Sequence, residues 1–336
     1  MSSAPVTSRD WRVEVDDGVA ALSAAEDGRV AVAGAEGSLS LISAGGELHC
    51  RQVVSTGCLA AAWSPDGNRV AVGTVDGVLI VDPAGTVIAE HPGGWCSSVA
   101  WSPDGTRLAA GVGRSVVVLD AAGTEIFRGG RSSTVAAVAW VNRRVASAAY
   151  GGVHLHHASN TAPRDQMPFT GSLLALSVSP DRKWIATGNQ DATLHIWRLG
   201  RGGNELSMSG YPRKISALAF SPDSTMLASG GGSDVTVWDF TGRGPRGSTP
   251  RVLRGHEEAV VAVAWSRRGG LLAGAASDGS VAVWHPARAR PGRPESAIDS
   301  MRRDSPAAAL CWDGLGRLLV GWSDSTVVAR PIGGAG

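Results

Sequence analysis

Three closely spaced histidines, His154, His156 and His157, have the clearest potential for chemistry in this chain. The segment around them reads as a β-strand. Side chains alternate between the two faces of a strand, so His154 and His156 would share one face and could bind a metal ion together. Zinc usually has three or four protein ligands, and no cysteine or carboxylate pair lies nearby in the sequence. The pattern therefore favours polar residues on a half-exposed strand over a metal site.

Cysteines offer a second candidate site. Cys58 and Cys96 each lie five residues before a tryptophan in similar segments, so a fold built from those segments would place them at equivalent positions. They could form a metal or redox pair, although buried reduced thiols are common in protein cores and need no function. The four cysteines show no CxxC spacing and no disulfide-scaffold density, and we expect Cys50 and Cys311 to be structural.

Recognisable catalytic motifs are absent from the sequence. It has no GxSxG elbow, no P-loop, no GxGxxG segment that opens a helix and no HExxH motif. Most aspartates lie in turn segments, where the backbone needs them. We therefore predict that the chain is not an enzyme and needs no cofactor.

Composition indicates a globular chain with a large core. Hydrophobic residues make up 43% and charged residues 18%, and the net charge of +1 suggests no polyanionic partner for the molecule as a whole. Apolar runs are too short for a transmembrane helix, and the first ten residues lack the apolar segment of a signal peptide. We expect a cytoplasmic protein without a membrane partner. The preference for Arg over Lys suggests a GC-rich bacterial genome.

One pattern recurs about every 40 residues: small and apolar residues, an aromatic anchor, Ser-Pro-Asp-Gly, and an apolar strand. The clearest copies are residues 61–73 and 99–111, and a faint first copy covers residues 22–34. The seven later anchors are Trp63, Trp101, Trp140, Val178, Phe220, Trp265 and Trp312. Eight copies of one short unit indicate a repeat fold.

Each copy predicts four short strands, here called a to d. Strand a ends at the anchor, and Ser-Pro-Asp-Gly forms a turn because Pro presets φ and Gly adopts the left-handed conformation. After strand b comes a second hairpin turn, such as Asp278-Gly279, and strand c can end in tryptophan, as at Trp197, Trp238 and Trp284. Short strands at regular spacing, without helical periodicity, indicate an all-β radial repeat.

These repeats resemble the WD40 family over roughly residues 10–332. Trp238-Asp239 is the one true Trp-Asp pair, and Gly255-His256 matches the family's Gly-His before strand a. The resemblance implies a single closed β-propeller of eight four-stranded antiparallel blades, with seven as the alternative. It also implies structural roles for the anchors and strand-c tryptophans and for His256 and Asp278. The family's His, Ser/Thr, Asp, Trp tetrad is nowhere complete, because Gly274 replaces Ser in the blade of His256.

Ring closure can also be predicted. The last copy ends on a strand c near 326–330, whereas the chain begins with an alternating strand at 10–15 that has no strands a to c before it. We expect this N-terminal strand to complete the last blade, which removes two exposed sheet edges. Residues 1–9 and 333–336 would be terminal tails.

Partners of WD40 propellers bind mainly on the face formed by the d–a and b–c loops. Large side chains interrupt the repeat there, where other copies hold small or polar residues, and exposed aromatics carry much of the binding energy at interfaces. We therefore predict a protein-binding site at Trp95, Arg114, Tyr150, Tyr211 and Trp322. This favours a protein-interaction scaffold, or a recruiting subunit of a complex, that is monomeric outside that complex.

Two alternatives remain open. The c–d connections 241–251 and 285–306, on the opposite face, are rich in Arg, Pro and Gly, which predicts mobile loops that could attract nucleic acid. They contain no aromatic residue for base stacking, so nucleic-acid binding is weakly supported. The other alternative is a small-ligand or metal-dependent reaction in the central channel.

Overall fold

Eight small antiparallel sheets make up the computed structural model, which describes residues 10–157, 165–200, 205–242 and 244–333. The first strand of each sheet contacts the first strand of the next, and the contacts continue from the eighth sheet back to the first. The sheets are therefore the blades of one closed ring. The predicted all-β propeller with eight four-stranded blades is confirmed, and the seven-bladed alternative is wrong.

In chain order, β1 (Trp11–Glu14) belongs to the last blade. Blade 1 contains β2 (Val19–Ala24), β3 (Val30–Gly34), β4 (Ser38–Ile42) and β5 (Leu48–Val53). Blade 2 contains β6 (Cys58–Trp63), β7 (Val70–Thr74), β8 (Gly77–Val81) and β9 (Val87–Pro92). Blade 3 contains β10 (Cys96–Trp101), β11 (Arg107–Val112), β12 (Ser115–Asp120) and β13 (Glu125–Gly130). Blade 4 contains β14 (Ala137–Val141), β15 (Arg144–Ala149), β16 (Gly151–His157) and β17 (Asp165–Phe169).

Blade 5 contains β18 (Leu173–Val178), β19 (Trp184–Asn189), β20 (Leu194–Arg198) and β21 (Glu205–Met208). Blade 6 contains β22 (Ala217–Phe220), β23 (Met226–Gly230), β24 (Val235–Asp239) and β25 (Arg251–Arg254). Blade 7 contains β26 (Val260–Trp265), β27 (Leu272–Ala276) and β28 (Ser280–Trp284); a 3₁₀ turn (Pro286–Arg288) and β29 (Pro294–Ser296) precede its last strand, β30 (Asp299–Arg302). Blade 8 contains β31 (Ala307–Trp312), β32 (Arg317–Trp322) and β33 (Thr326–Pro331).

The N-terminal strand closes the ring as predicted. β1 pairs antiparallel with β33, with Trp11 opposite Ala329 and Glu14 opposite Thr326. At the same seam, the Arg317 guanidinium is buried with Asp313 (2.7 Å) and also donates to the Ala44 carbonyl of blade 1 (2.6 Å). Blades 8 and 1 are therefore joined by a strand and by a buried ion pair. Except for residue 333, the predicted tails lie outside the described residues.

The connection at residues 285–306 differs from its prediction. Instead of a mobile loop, it contains the 3₁₀ turn, the fourth strand of blade 7 (β30), and β29, which adds to blade 6 parallel to β25 with Pro294 opposite Val252. Arg251 Nε donates to the Ala289 carbonyl (3.1 Å), and Gly292 N–H donates to the Pro250 carbonyl (2.9 Å). The Arg-rich connection is therefore held against the outer edge of blade 6. Of residues 241–251, Arg243 lies outside the described residues.

Anchor tryptophans link neighbouring blades. The Trp101 indole N–H donates to the Ala62 carbonyl of the preceding blade's strand a (3.0 Å). Three other anchors repeat this bond, with Trp140 donating to Ala100 (2.8 Å), Trp265 to Ala219 (2.9 Å) and Trp312 to Ala264 (3.0 Å). Trp63 has the Arg29 guanidinium over its ring, and its indole nitrogen has no hydrogen-bond partner in the described structure. The anchors thus fix the spacing of adjacent blades as well as filling the core.

Candidate functional site

Of the five predicted partner-binding residues, one is buried in the core and a second is half-buried. Trp322 is the last residue of β32, and only 1% of its surface is exposed; its indole N–H donates to the Gly279 carbonyl (3.2 Å). The Arg303 guanidinium covers its ring at 5.5 Å. The prediction that Trp322 is available to a partner is therefore wrong. Trp322 still belongs to β32, and its side chain points into the core.

Tyr211 takes part in an internal hydrogen-bond network. Its hydroxyl bonds Ser229 Oγ (2.7 Å) and accepts the indole N–H of Trp238 (2.8 Å). The ring is half-buried and packs into the core between blades 5 and 6, beside a hollow of about 400 Å³. Tyr211 takes the place of the family's histidine in a Tyr–Ser–Trp chain of hydrogen bonds. The hydroxyl of Tyr211 is thus engaged within the fold, and its role as a partner-binding residue stays a prediction.

His256 makes a similar internal network in blade 7. Its Nδ1 lies 2.7 Å from Ser280 Oγ, and Ser280 in turn bonds the Asp278 carboxylate. Burial lowers the pKa of His256 to about 4, so the ring is neutral at pH 7. Its Nε2 has no partner among the described residues, because Gly274 supplies no hydroxyl there. Sequence reasoning missed Ser280; its signal was a serine two residues after Asp278, which lets one hydroxyl bridge the carboxylate and the ring.

In blade 4, Arg131 occupies the position that His256 holds in blade 7, nine residues before the anchor tryptophan. This buried guanidinium donates to the Ser147 carbonyl (3.1 Å), to Ser147 Oγ (3.0 Å) and to the Gly152 carbonyl (2.6 Å). Ser147 Oγ also lies 3.3 Å from His156 Nε2. Sequence reasoning did not single out Arg131, although its spacing from Trp140 matches that of His256 from Trp265.

The histidine cluster follows the predicted alternation, since the rings of His154 and His156 lie 5.9 Å apart, centre to centre. Burial lowers the pKa of both to about 4, with the nearby Arg131 charge contributing in the same direction. Among the described residues, no group of three or more His, Cys, Asp or Glu side chains could hold a metal ion. The pair beside a buried cation is therefore a poor cation site.

Cys58 and Cys96 occupy the position five residues before each anchor, where every blade buries a small or apolar side chain. Burial raises the pKa of both thiols to about 12, which keeps them protonated and unreactive. The other six blades place apolar residues there: Val19, Val135, Leu173, Ile215, Val260 and Ala307. The two thiols are space-filling core residues.

Three predicted binding residues remain exposed and lie on neighbouring loops of blades 3 and 4. Trp95 is 64% exposed and Tyr150 is 53% exposed, and Arg114 is also exposed. The Trp95 carbonyl accepts the Gly113 N–H (2.8 Å), which fixes it beside Arg114. Two hydrogen bonds place the loop 131–136 between Arg114 and Tyr150. Arg131 N–H donates to the Arg114 carbonyl (2.7 Å), and Tyr150 N–H donates to Ser133 Oγ (2.9 Å). We call Trp95, Arg114 and Tyr150 the aromatic patch.

Comparison with known proteins identifies the repeat. The family model described as "WD domain, G-beta repeat" matches residues 49–81, 84–120, 166–198, 204–239 and 247–285, which together make up more than half of the chain. This chain belongs to the WD40 family. The matches skip residues 121–165, which form most of blade 4 and include Tyr150, so part of the aromatic patch lies in a segment that the family model does not match.

Individual relatives are distant and cover only part of the chain. It is 31% identical to mouse Coronin-7 over 111 residues, and 31% identical to the Schizosaccharomyces pombe small ribosomal subunit protein RACK1 over 128 residues. These alignments cover 30% and 34% of this chain, and 12% and 38% of the relatives. The chain therefore matches less than half the length of either relative.

Solved structures resemble the whole propeller. The computationally designed Ika8 protein superposes with a TM-score of 0.79 at 21% identity, covering 95% of this chain and 98% of that one. The C-terminal WD40 domain of Sif2 has a TM-score of 0.78 at 18% identity, covering 96% and 99%. At these identities the likeness concerns the fold alone. No helix among the described residues has the length and apolar character needed to span a membrane.

Proposed function

We propose that this chain is a non-catalytic interaction scaffold that binds a protein partner through the aromatic patch. The observation that carries the proposal is the exposure of Trp95 and Tyr150, two large side chains on adjacent blades of one face. The anchors already supply packing between blades, so these two rings have no structural task that requires them. A partner that covered them would desolvate two residue types enriched among interface hot spots.

Arg114 extends the patch with a charged and adaptable contact. Among the described residues its guanidinium forms no ion pair, so it is available to a carboxylate or a carbonyl of a partner. An arginine next to exposed aromatics is typical of protein–protein interfaces, where Arg, Trp and Tyr are enriched. The distant RACK1 relative is named as a ribosomal subunit protein, which agrees with a role within a larger assembly.

Affinity purification with the full chain tests the proposal. Proteins that co-purify with the wild type are quantified against those captured by the double variant Trp95→Ala/Tyr150→Ala. We expect at least one specific partner to fall by more than about tenfold, since hot-spot truncations cost upward of about 2 kcal/mol each. The melting temperature should stay within a few degrees, because both rings are exposed.

Two control variants separate binding from folding. Changing Arg288, Arg290 and Arg293 to Glu alters exposed charges on the opposite face and should leave that capture nearly intact. Trp322→Ala makes the same chemical change as Trp95→Ala but in the core, and should cost roughly 3–5 kcal/mol of stability. If the arginine changes abolish capture and the patch changes do not, the patch is the wrong site.

A further inference from the structure

A hollow of about 680 Å³ lies on the face opposite the aromatic patch, between the a–b turns of blades 3, 4 and 5. Its walls include three arginines, each from a different blade: Arg107, Arg143 and Arg182. Trp140 forms an apolar wall, and Asp104 supplies a carboxylate. Three cationic side chains thus converge on one concave surface that belongs to neither the patch nor the Arg-rich connections.

Blade 4 creates the hollow because its a–b turn is short. Val141 pairs with Arg144, so only Asn142 and Arg143 connect β14 to β15. The corresponding connections of blades 3 and 5 hold five residues each, at 102–106 and 179–183. The turn of blade 4 is therefore recessed between two longer neighbours, which form the sides of the depression.

Arg182 occupies a position that the backbone prefers to give to glycine. Its φ is +59°; the same turn position holds Gly67, Gly105 and Gly269, with φ of 68° to 77°, in three other blades, and Ser224, with φ of +64°, in blade 6. A non-glycine residue in this region costs free energy unless the surrounding structure or a function requires it. Glycine or serine serves at this position in other blades, so the turn itself does not require the long charged side chain of Arg182.

The arginines of the hollow are not neutralised by the protein. Within the described parts of the chain, Arg107, Arg143 and Arg182 have no salt bridge, and all three are exposed. Asp104 is held within its own turn, where its carboxylate accepts hydrogen bonds from the Ser102 hydroxyl (2.6 Å) and from the Thr106 backbone N–H (3.1 Å). Two further ion pairs nearby, Arg144 with Asp165 (2.6 Å) and Lys183 with Asp181 (3.1 Å), add no net charge.

A second hollow on the same face provides an internal contrast. It also has a volume of about 680 Å³ and is lined by a–b turns, here of blades 7, 8 and 1. Its Arg267, in blade 7, forms an ion pair with Glu26, in blade 1, and its Asp313 is paired with the buried Arg317. The two hollows thus share their size and their place in the repeat. Within the described residues, three arginines without a salt bridge line the hollow of blades 3 to 5, whereas one, Arg268, lines the second hollow.

We propose that the hollow of blades 3 to 5 binds the phosphate groups of a phosphorylated ligand, with Arg107, Arg143 and Arg182 as the phosphate-binding residues. A guanidinium presents N–H donors in a planar fork that matches phosphate oxygens, and such charge-assisted bonds are stronger than neutral ones. Recognition of phosphorylated segments by arginine clusters uses the same chemistry. The site is separate from the proposed partner-binding face, so either proposal can fail alone.

Isothermal titration of the full chain with two probes tests the inference. The probes are inorganic tripolyphosphate and a Gly-Ser-Gly-Ser-Gly peptide with both serines phosphorylated. We expect wild-type binding that weakens at least tenfold in Arg107→Gln/Arg143→Gln/Arg182→Gly. That variant should fold normally, because Arg182→Gly also removes the strained left-handed arginine.

Arg268→Gln is the matched control, since it removes one exposed arginine from the second hollow. Binding by this variant should stay within twofold of wild type. The proposal is overturned if neither probe binds at concentrations up to about 1 mM, or if the triple variant binds as well as wild type. It is also overturned if Arg268→Gln weakens binding as much as the triple variant, which would indicate diffuse surface charge.

The two probes distinguish the source of the phosphate. Binding of the phosphorylated peptide, with none for its unphosphorylated form, supports a modified protein segment as the ligand. Binding of tripolyphosphate alone supports a free phosphate anion. Both outcomes support the phosphate site, and both require that the triple variant lose the interaction.

Discussion

Blades 1 to 3 and blades 4 to 7 fill equivalent positions in the repeat with different chemistry. Each anchor position at the end of strand a pairs with a residue of strand b. Two residues further along strand b, blades 1 to 3 hold Val32, Val72 and Ala110. Blades 4 to 6 place the hydroxyls of Ser147, Thr187 and Ser229 there, and blade 7 has Gly274 there but buries a polar network around His256. Both kinds of blade have the same four strands, so the fold does not require the family's polar tetrad.

The comparison shows what a buried polar group requires. Tyr211 and His256 each find a hydroxyl partner, whereas the hydroxyl of Thr187 is buried without one, because Phe169 replaces the expected histidine nine residues before the anchor. The valine at the same position in blades 1 and 2 has no polar side-chain group that needs a hydrogen-bond partner. Polar blades therefore depend on complete local networks, whereas apolar blades depend only on packing.

The largest expected difference between the two groups is a dependence on pH. Burial lowers the pKa of His154, His156 and His256 to about 4 from about 6.5. The unfolded chain therefore binds more protons than the folded chain between these values, so stability is complete above pH 6.5 and is lost as pH falls towards 4. For His156, which is 1% exposed, the loss across this window is on the order of 3 kcal/mol.

Chemical denaturation between pH 7 and 4.5 measures this loss. His256→Tyr provides the matched variant, since blade 6 already uses Tyr211 at the equivalent position, and it should reduce the slope of stability against pH. Hydrogen exchange at pH 5 should show opening in blades 4 and 7 before blades 1 to 3. Uniform opening of all blades would contradict the comparison.

Much of the fold could be predicted from the sequence, because the repeat is specified by local patterns. Anchors, turns and the unmatched strand at residues 10–15 were enough to predict eight blades and the closure by β1. The candidate site was predicted less well, because exposure depends on neighbouring blades. Trp322 and Trp95 both interrupt the repeat on one face, yet the first lies under Arg303 and the second has no such cover.

Other features could not be predicted from local sequence patterns, because they depend on contacts between distant segments of the chain. β29 reaches blade 6 from a connection in blade 7, which no local pattern indicates. The hollow with Arg107, Arg143 and Arg182 depends on the difference in length between adjacent turns, and each arginine alone resembles an ordinary surface residue. Ser280 contacts the other ring nitrogen of His256 from a different strand than the tetrad's serine, so alignment to the repeat does not indicate its role.

A smaller effect is expected from the Tyr211 network. Tyr211→Phe removes one hydroxyl and leaves the Trp238 indole N–H without its acceptor, while Ser229 Oγ keeps its bond to the Thr236 carbonyl (3.3 Å); the change should cost about 1–3 kcal/mol. Adding Ser229→Ala gives blade 6 an apolar pair like that of blades 1 and 2, and should recover part of the loss. Equilibrium denaturation of both variants measures the coupling, and strictly additive losses would indicate that the two hydroxyls do not act as a pair.

The smallest effect is expected where blades 2 and 3 differ from the rest by a thiol. Cys96→Val places in blade 3 the residue that blades 1, 4 and 7 already bury at this position, as Val19, Val135 and Val260. Because the Cys96 thiol is protonated and its weak bond to the Ser98 carbonyl is long (3.6 Å), its loss should change stability by less than about 1 kcal/mol. Equilibrium denaturation of the variant, with and without a reducing agent, measures both the packing and any redox contribution. A loss well above that value, or stability of the wild type that depends on reductant, would show that the thiol does more than fill space and would reopen the pairing with Cys58.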